Sequence, residues 1–190
     1  MQWLKTSKKF KLDSRIFSSA CEGGHMEIIK WLTSEDCPWH ARGCTGAAKH
    51  GHLEVLKWLR NEGCPWDGIL CTHAAAQGGH LDTLNWLRNK GYWNENTCSG
   101  AAGGGHLEIL KWLRSEGCPW NQYACSGAAW GGHLEVLKWL RSEGCPWTSH
   151  TSYCAAVRRH LDVLRWAIDN GCPYKVNKET RSAFKSLGLA

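Results

Sequence analysis

The sequence predicts an all-α fold, a helical-repeat solenoid of about six stacked helix–turn–helix units joined by short loops. Three observations lead there. A block reading A-A-x-x-G-H-L-E-V-L-K-W-L-R-x-E-G-C-P-W recurs through the 190 residues. Its histidine falls at His25, His52, His80, His106, His133 and His160, in steps of 27, 28, 26, 27 and 27. A fixed period of about 20–50 residues is the mark of stacked repeats. The segment after each histidine carries apolar residues at helical spacing, and each block closes on glycine and proline, where a helix cannot continue.

The second unit shows the elements most cleanly. Cys44-Thr45-Gly46-Ala47-Ala48-Lys49-His50 predicts a first helix of small residues. Ala47 and Ala48, with the matching Ala101, Ala102, Ala128 and Ala129, let neighbouring backbones approach closely. The glycines at 78–79, 103–105 and 131–132 predict a shortened first helix and a free turn before the histidine. Leu53 to Asn61 reads as the second helix. Val55, Leu56, Trp58 and Leu59 share a wide apolar arc, and Glu54, Lys57 and Asn61 a polar stripe. Gly63 is placed to stop that helix, Pro65 forbids its return, and Asp67-Gly68 signals a turn. No segment reads as a strand.

Two units depart from the pattern. In the third, Gly91-Tyr92-Trp93 stands for Gly-Cys-Pro-Trp and Asn85 for the usual lysine. The sixth ends Trp166-Ala167-Ile168 where others have Trp-Leu-Arg, so a covered site is expected there. The expected organisation is an N-terminal cap over 1–15, a repeat stack over 16–174 and a C-terminal capping helix within 175–190. That helix would start at Asn177-Lys178-Glu179-Thr180, with Phe184 and Leu187 packing back.

The strings Ala-Ala-Lys-His-Gly-His-Leu-Glu-Val-Leu-Lys-Trp-Leu and Asn-Glu-Gly-Cys-Pro-Trp-Asp resemble the ankyrin repeat, over roughly residues 16–174. Two departures matter. The period is about six residues short of the ankyrin 33, and Arg42-Gly43-Cys44-Thr45 stands in place of the T-P-L-H signature. The shortfall lies in the connecting loop, so the resemblance implies a stack whose projecting β-hairpin fingers are trimmed or absent. It also implies protein binding through the face that remains, that of the first helices.

Composition narrows the function. The net charge is +6, and much of it lies at the ends, where solvated caps need polar residues. The first residues, Met-Gln-Trp-Leu-Lys-Thr-Ser-Lys-Lys-Phe-Lys, have no apolar core of a secretory signal, and no apolar run approaches 18 residues. An intracellular protein, cytoplasmic or nuclear, with reduced thiols is expected, away from any membrane and monomeric.

Repetition also weighs against chemistry. Cysteines occupy the G-C-P-W site (Cys37, Cys64, Cys118, Cys145, Cys172) and the start of the first helix (Cys44, Cys98, Cys125, with Cys71 one residue out of register). Cys37–Cys44, Cys64–Cys71 and Cys118–Cys125, seven apart, suggest paired sites. No C-x(2–4)-C knuckle accompanies them, and helices packed about 8–10 Å apart hold equivalent cysteines beyond the roughly 7 Å limit of a disulfide. Core packing is expected, with no metal and no cofactor; a cysteine-rich metal or redox module is an alternative. Each ladder histidine suits a side chain that hydrogen-bonds its turn. Catalysis needs different groups converging on one point, and no such convergence is present, so no enzyme is expected. The tryptophans form two columns, Trp31, Trp58, Trp86, Trp112, Trp139, Trp166 and Trp39, Trp66, Trp93, Trp120, Trp147. Identity down a column points to packing between units. A basic nucleic-acid-binding solenoid is the other alternative, with charge balance alone in its favour.

Positions that differ between units are free to meet a partner. Three before the histidine stand Glu22, Lys49, Gln77, Gly103, Trp130 and Val157; seven before it, Ser18, Thr45, His73, Ser99, Ser126 and Tyr153. The loop after the second tryptophan column varies too, through Gln122-Tyr123 and Ser149-His150. Trp130 stands outside both columns, and tryptophan, tyrosine and arginine dominate binding hot spots. The expected function is a non-enzymatic scaffold that binds another protein through Lys49, His73, Gln77, Tyr123, Trp130 and Tyr153.

Overall fold

Units are counted by their histidines. The structure, a computed structural model, describes residues 12–189, and among them it holds thirteen helices and no strand. Six units each supply two helices: α1 (Ser14–Glu22) and α2 (Met26–Ser34), α3 (Arg42–Lys49) and α4 (Leu53–Asn61), α5 (Gly68–Gly78) and α6 (Leu81–Arg88), α7 (Glu95–Gly104) and α8 (Leu107–Ser115), α9 (Gln122–Gly131) and α10 (Leu134–Ser142), α11 (Ser149–Val157) and α12 (Leu161–Asp169). A short α13 (Arg181–Ser186) follows, with Phe184 buried and stacked on Tyr174 at 5.1 Å. Most of the residues expected to cap the N-terminal end, 1–11, lie outside the described residues.

Local chemistry sets the helix ends. Asp13, Asp67, Asn94, Asn121 and Thr148 precede first helices, and each side chain accepts from backbone N–H groups of the first turn. Second helices begin directly after the ladder histidine. They carry Glu or Asp in the first turn, which suits the helix dipole. Their outer stripe pairs Lys30 with Glu27, Lys57 with Glu54, Lys111 with Glu108 and Lys138 with Glu135, exposed contacts worth a few tenths of a kcal/mol each.

First helices pack on first helices of the neighbouring units, while each second helix leans on its own partner. The alanines and cysteines of the first helices are buried with a leucine pair from most second helices, such as Leu56 with Leu59 and Leu110 with Leu113. Ile168, at the normally charged site expected to be covered, is only half-buried, packed against the edge of the core.

The glycines act differently from the expectation. They do not shorten the first helices: α5, α7 and α9 run to 11, 10 and 10 residues, longer than any second helix. A Cβ on Gly104 would lie 2.2 Å from the carbonyl oxygen of Gln77 in the preceding unit, and Gly78 and Gly131 stand likewise against Lys49 and Gly103. The glycine lets two helices touch. The next residue, Gly105 (φ 79°), is left-handed, and a side chain there would strike the His133 ring of the following unit. In the sixth unit the equivalent residue is Arg159 at φ 60°. No ladder imidazole follows it, so a side chain fits, and Arg159 donates to Ser182 of α13 at 2.9 Å.

The ladder histidines reach beyond their own turn, contrary to the local role expected. The Nε2 of His52 bonds the carbonyl of Glu22 (3.0 Å), His106 that of Gln77 (3.0 Å), His133 that of Gly103 (3.1 Å) and His160 that of Trp130 (3.1 Å), each in the preceding unit. A carbonyl accepts, so the ring nitrogen must carry hydrogen. Burial of the rings between units, reinforced by neighbouring histidines, holds His80 and His133 below the usual 6.5 despite those bonds. The fold therefore favours neutral imidazole. Stability is full above about pH 6.5, the unfolded value, and is lost as pH falls from there toward the lower folded values. We expect a lower Tm at about pH 5 than at about pH 7.5; an unchanged Tm would contradict this account.

A second ladder is made of thiols. The Sγ of Cys37, Cys118, Cys145 and Cys172 donates to the backbone carbonyl of Asp13, Asn94, Asn121 and Thr148, the residue that caps the first helix of the same unit, at 3.4–3.5 Å. The cysteines that meet are not those seven apart. Cys98 Sγ donates to the Cys118 carbonyl (4.0 Å) and Cys125 Sγ to the Cys145 carbonyl (3.8 Å), twenty apart, because the second helix carries the chain out and back. All eleven cysteines are free and buried. Burial pushes Cys21 and Cys71 up to about 12 and Cys154 to about 11, so they remain thiols at neutral pH. We expect a thiol-reactive disulfide reagent to label none of the eleven rapidly in the native protein and all of them in denaturant. Fast labelling of a native thiol would contradict this burial.

Candidate protein-binding surface

The two tryptophan columns are occupied by the stack itself. Trp120 packs edge-on to Trp139 at 5.8 Å, and the Arg114 guanidinium lies 4.0 Å above its ring. Trp147 repeats this with Trp166 and Arg141, Trp66 with Trp86 and Arg60, and Trp93 with Trp112 and Arg88. Four loop indoles are thus held between an arginine of their own unit and a tryptophan of the next, while Trp39 stacks on Phe17 at 5.7 Å.

The first-helix face is different. Tyr123 and Trp130, on α9, are 50% and 47% exposed, although they are among the largest apolar side chains of the chain. They line a groove of about 380 Å³ with Asn96 and Ser99 of α7, Ser126 and Gly127 of α9, and His150 and Cys154 of α11. The small −7 and −6 positions, Ser126 and Gly127, make the floor between the two rings. Asn121 caps α9 by accepting from the Tyr123 amide (2.9 Å), which fixes where the tyrosine leaves the helix. The Arg158 guanidinium lies 4.8 Å over the Trp130 ring, and the Trp130 carbonyl is held by His160. His150 stacks on Tyr153 at 5.8 Å, and the Tyr153 hydroxyl donates to Glu179 at 2.7 Å. That bond to a carboxylate raises the Tyr153 hydroxyl above its ordinary value, so it stays protonated.

Of the six residues expected at the surface, the structure brings Tyr123 and Trp130 into one groove, with Tyr153 beside it through His150. Lys49, His73 and Gln77 share the face but lie on α3 and α5. Lys49 and Gln77 are exposed. His73 is half-buried, its Nδ1 bonded to the carbonyl of Asn96 at 2.8 Å, and does not itself line the groove. Ile69 and Leu70, at 43% and 54% exposure, extend the same face on α5. Arg158 escaped the sequence reading. Its signal was substitution at a shared position, since Gly78, Gly104 and Gly131 stand two before the histidine in units three to five.

Among the described residues no three His, Cys, Asp or Glu side chains gather at one point, and no helix is long and apolar enough to cross a membrane. A family model described as ankyrin repeats (many copies) matches residues 72–114, which run from the first helix of the third unit through most of α8. No curated protein matches the chain. Among solved structures, the human ASB11 ankyrin repeat domain superposes with a TM-score of 0.55 at 19% identity, over 92% of this chain and 90% of that one. The matched segment stands in phase with the other copies, so residues 72–114 are similar to ankyrin repeats and the chain as a whole shares the fold of an ankyrin repeat domain.

Proposed function

We propose that this chain is a non-enzymatic scaffold that holds another protein against its first-helix face. Residues 16–174 form the binding stack, 175–190 cap it, and Lys49, His73, Gln77, Tyr123, Trp130 and Tyr153 make contact. The observation that carries this reading is the contrast between faces. Side chains repeated from unit to unit pack within the stack, whereas those that vary lie on the first-helix face and include two half-exposed aromatic rings over one groove. Exposed aromatic residues at a groove are the usual anchors of a protein interface. Loops without strands leave this face open, because no hairpin projects over it.

Capture from a lysate on the immobilised protein, with and without nuclease, tests the reading beside a Trp130→Ala, Tyr153→Ala variant. A defined protein retained after nuclease and lost with the variant is the expected result. Material lost on nuclease treatment and indifferent to the variant would replace it with nucleic-acid binding.

A further inference from the structure

Charge is distributed unequally over the two faces. On the second helices each of the four lysine–glutamate pairs is closed within one helix, and Arg88 is paired with Glu116 across units. On the first-helix face Arg42, Lys49 and Arg158 are exposed and have no carboxylate partner among the described residues. Arg158 lies over Trp130 at 4.8 Å, and a guanidinium stacked on an aromatic ring can still offer its N–H edge to a carboxylate. The carboxylates on this face are Glu22 before Arg42, Glu95 between the two cationic ends, and Glu179, already bonded to Tyr153.

The order along the face is therefore cationic at α3, amide-rich at α5 and α7 through Gln77 and Asn96, and aromatic then cationic at α9 and α11. Resting on the protein-binding reading, we infer that the occupant is an extended, acidic segment of a partner protein that crosses the first helices from α3 to α11. Its carboxylates meet Arg42 and Lys49 at one end and Arg158 at the other, and an apolar side chain enters the groove between Tyr123 and Trp130. Four steps of about 10 Å between packed helices, at about 3.3 Å per extended residue, need a segment of about twelve residues. A nucleic-acid strand fits this pattern less well. It carries charge at every phosphate and would have to pass Glu22 and Glu95, whereas a peptide can place carboxylates only opposite the cations.

The test uses fluorescent synthetic peptides of about twelve residues on the full chain. One set has Asp or Glu at both ends and Leu, Phe or Trp at each central position in turn; a second replaces the acids with Lys; a third probe is a single-stranded RNA of similar length. Binding is read by anisotropy. We expect members of the acidic set to bind at least about tenfold more tightly than their Lys counterparts, and to weaken by about tenfold for Arg158→Glu and for Arg42→Glu, Lys49→Glu, the scale of a lost contact to a charged group. These positions are exposed, and unchanged thermal melts confirm that the variants fold. Equal binding of acidic and Lys peptides that is lost with Trp130→Ala overturns the acidic partner and leaves protein binding standing. Binding of RNA alone overturns both, and no binding to any acidic member overturns the inference.

Discussion

Gly104→Ala should destabilise the protein by about 1–3 kcal/mol, the cost of overpacking a close-packed contact, while Gly103→Ala, one residue earlier on α7, should stabilise it by about 0.5–1 kcal/mol. An alanine at 104 places its methyl 2.2 Å from the Gln77 carbonyl oxygen, a backbone atom that cannot rotate away. Units three and four would have to part, and the 3.0 Å bond from His106 to that same carbonyl would stretch with them. At 103 the nearest atom is 3.6 Å away, an ordinary contact, so only the helix-forming advantage of alanine remains. Because each unit touches only its neighbours, damage to one junction also weakens cooperativity. Urea denaturation of the two variants checks both signs, and a broadened transition for Gly104→Ala is expected. Equal effects at the two positions would show that helix propensity, not the approach of neighbouring backbones, places the glycine.

Trp120→Ala should cost about 3 kcal/mol, near the low end for loss of a buried aromatic ring, because the indole is half-buried. The ring is contacted on one side by Arg114 and on the other by Trp139. Arg114 also donates to the Cys118 carbonyl at 2.7 Å, so its plane is fixed before it meets the ring. The diagnostic quantity is the coupling. A double-mutant cycle of Trp120→Ala with Trp139→Ala should show about 0.5–1.5 kcal/mol of non-additivity. Additive losses would mean that the two columns fill space independently and do not bind one unit to the next.

Much of this was readable in the residues. The histidine beat marks the units because a stack uses the same contact at every junction, and each second helix follows from its apolar arc. What escaped concerns contacts between distant segments. The cysteine pairs were sought seven apart, across the loop, but meet twenty apart. Glycines before the histidine looked like helix breakers, since sequence shows a missing side chain without showing the carbonyl of another unit beside it. The histidine bond was assigned to its own turn for the same reason. At the candidate surface Trp130 stood out by breaking a column and Tyr123 by varying in a stretch that reads as loop but forms the first turn of α9, and both line the groove. Arg158 was hidden because an arginine near a chain's basic end looks like a solvated cap.

Arg159 bears on how such an array can gain or lose copies. Its left-handed backbone tolerates a side chain only where no imidazole arrives from a following unit. Interior units, with glycine at that place, are interchangeable modules, and duplicating the fourth or fifth in tandem creates a junction identical in kind to those already present. The sixth is not such a module. Copied inward, it would carry an arginine into the space of the next histidine; shuffled to the end, it needs none of its neighbours to change. Growth of the stack is thereby directed to its middle, and extension beyond the sixth unit would need both glycine at 159 and displacement of α13, which packs on α11.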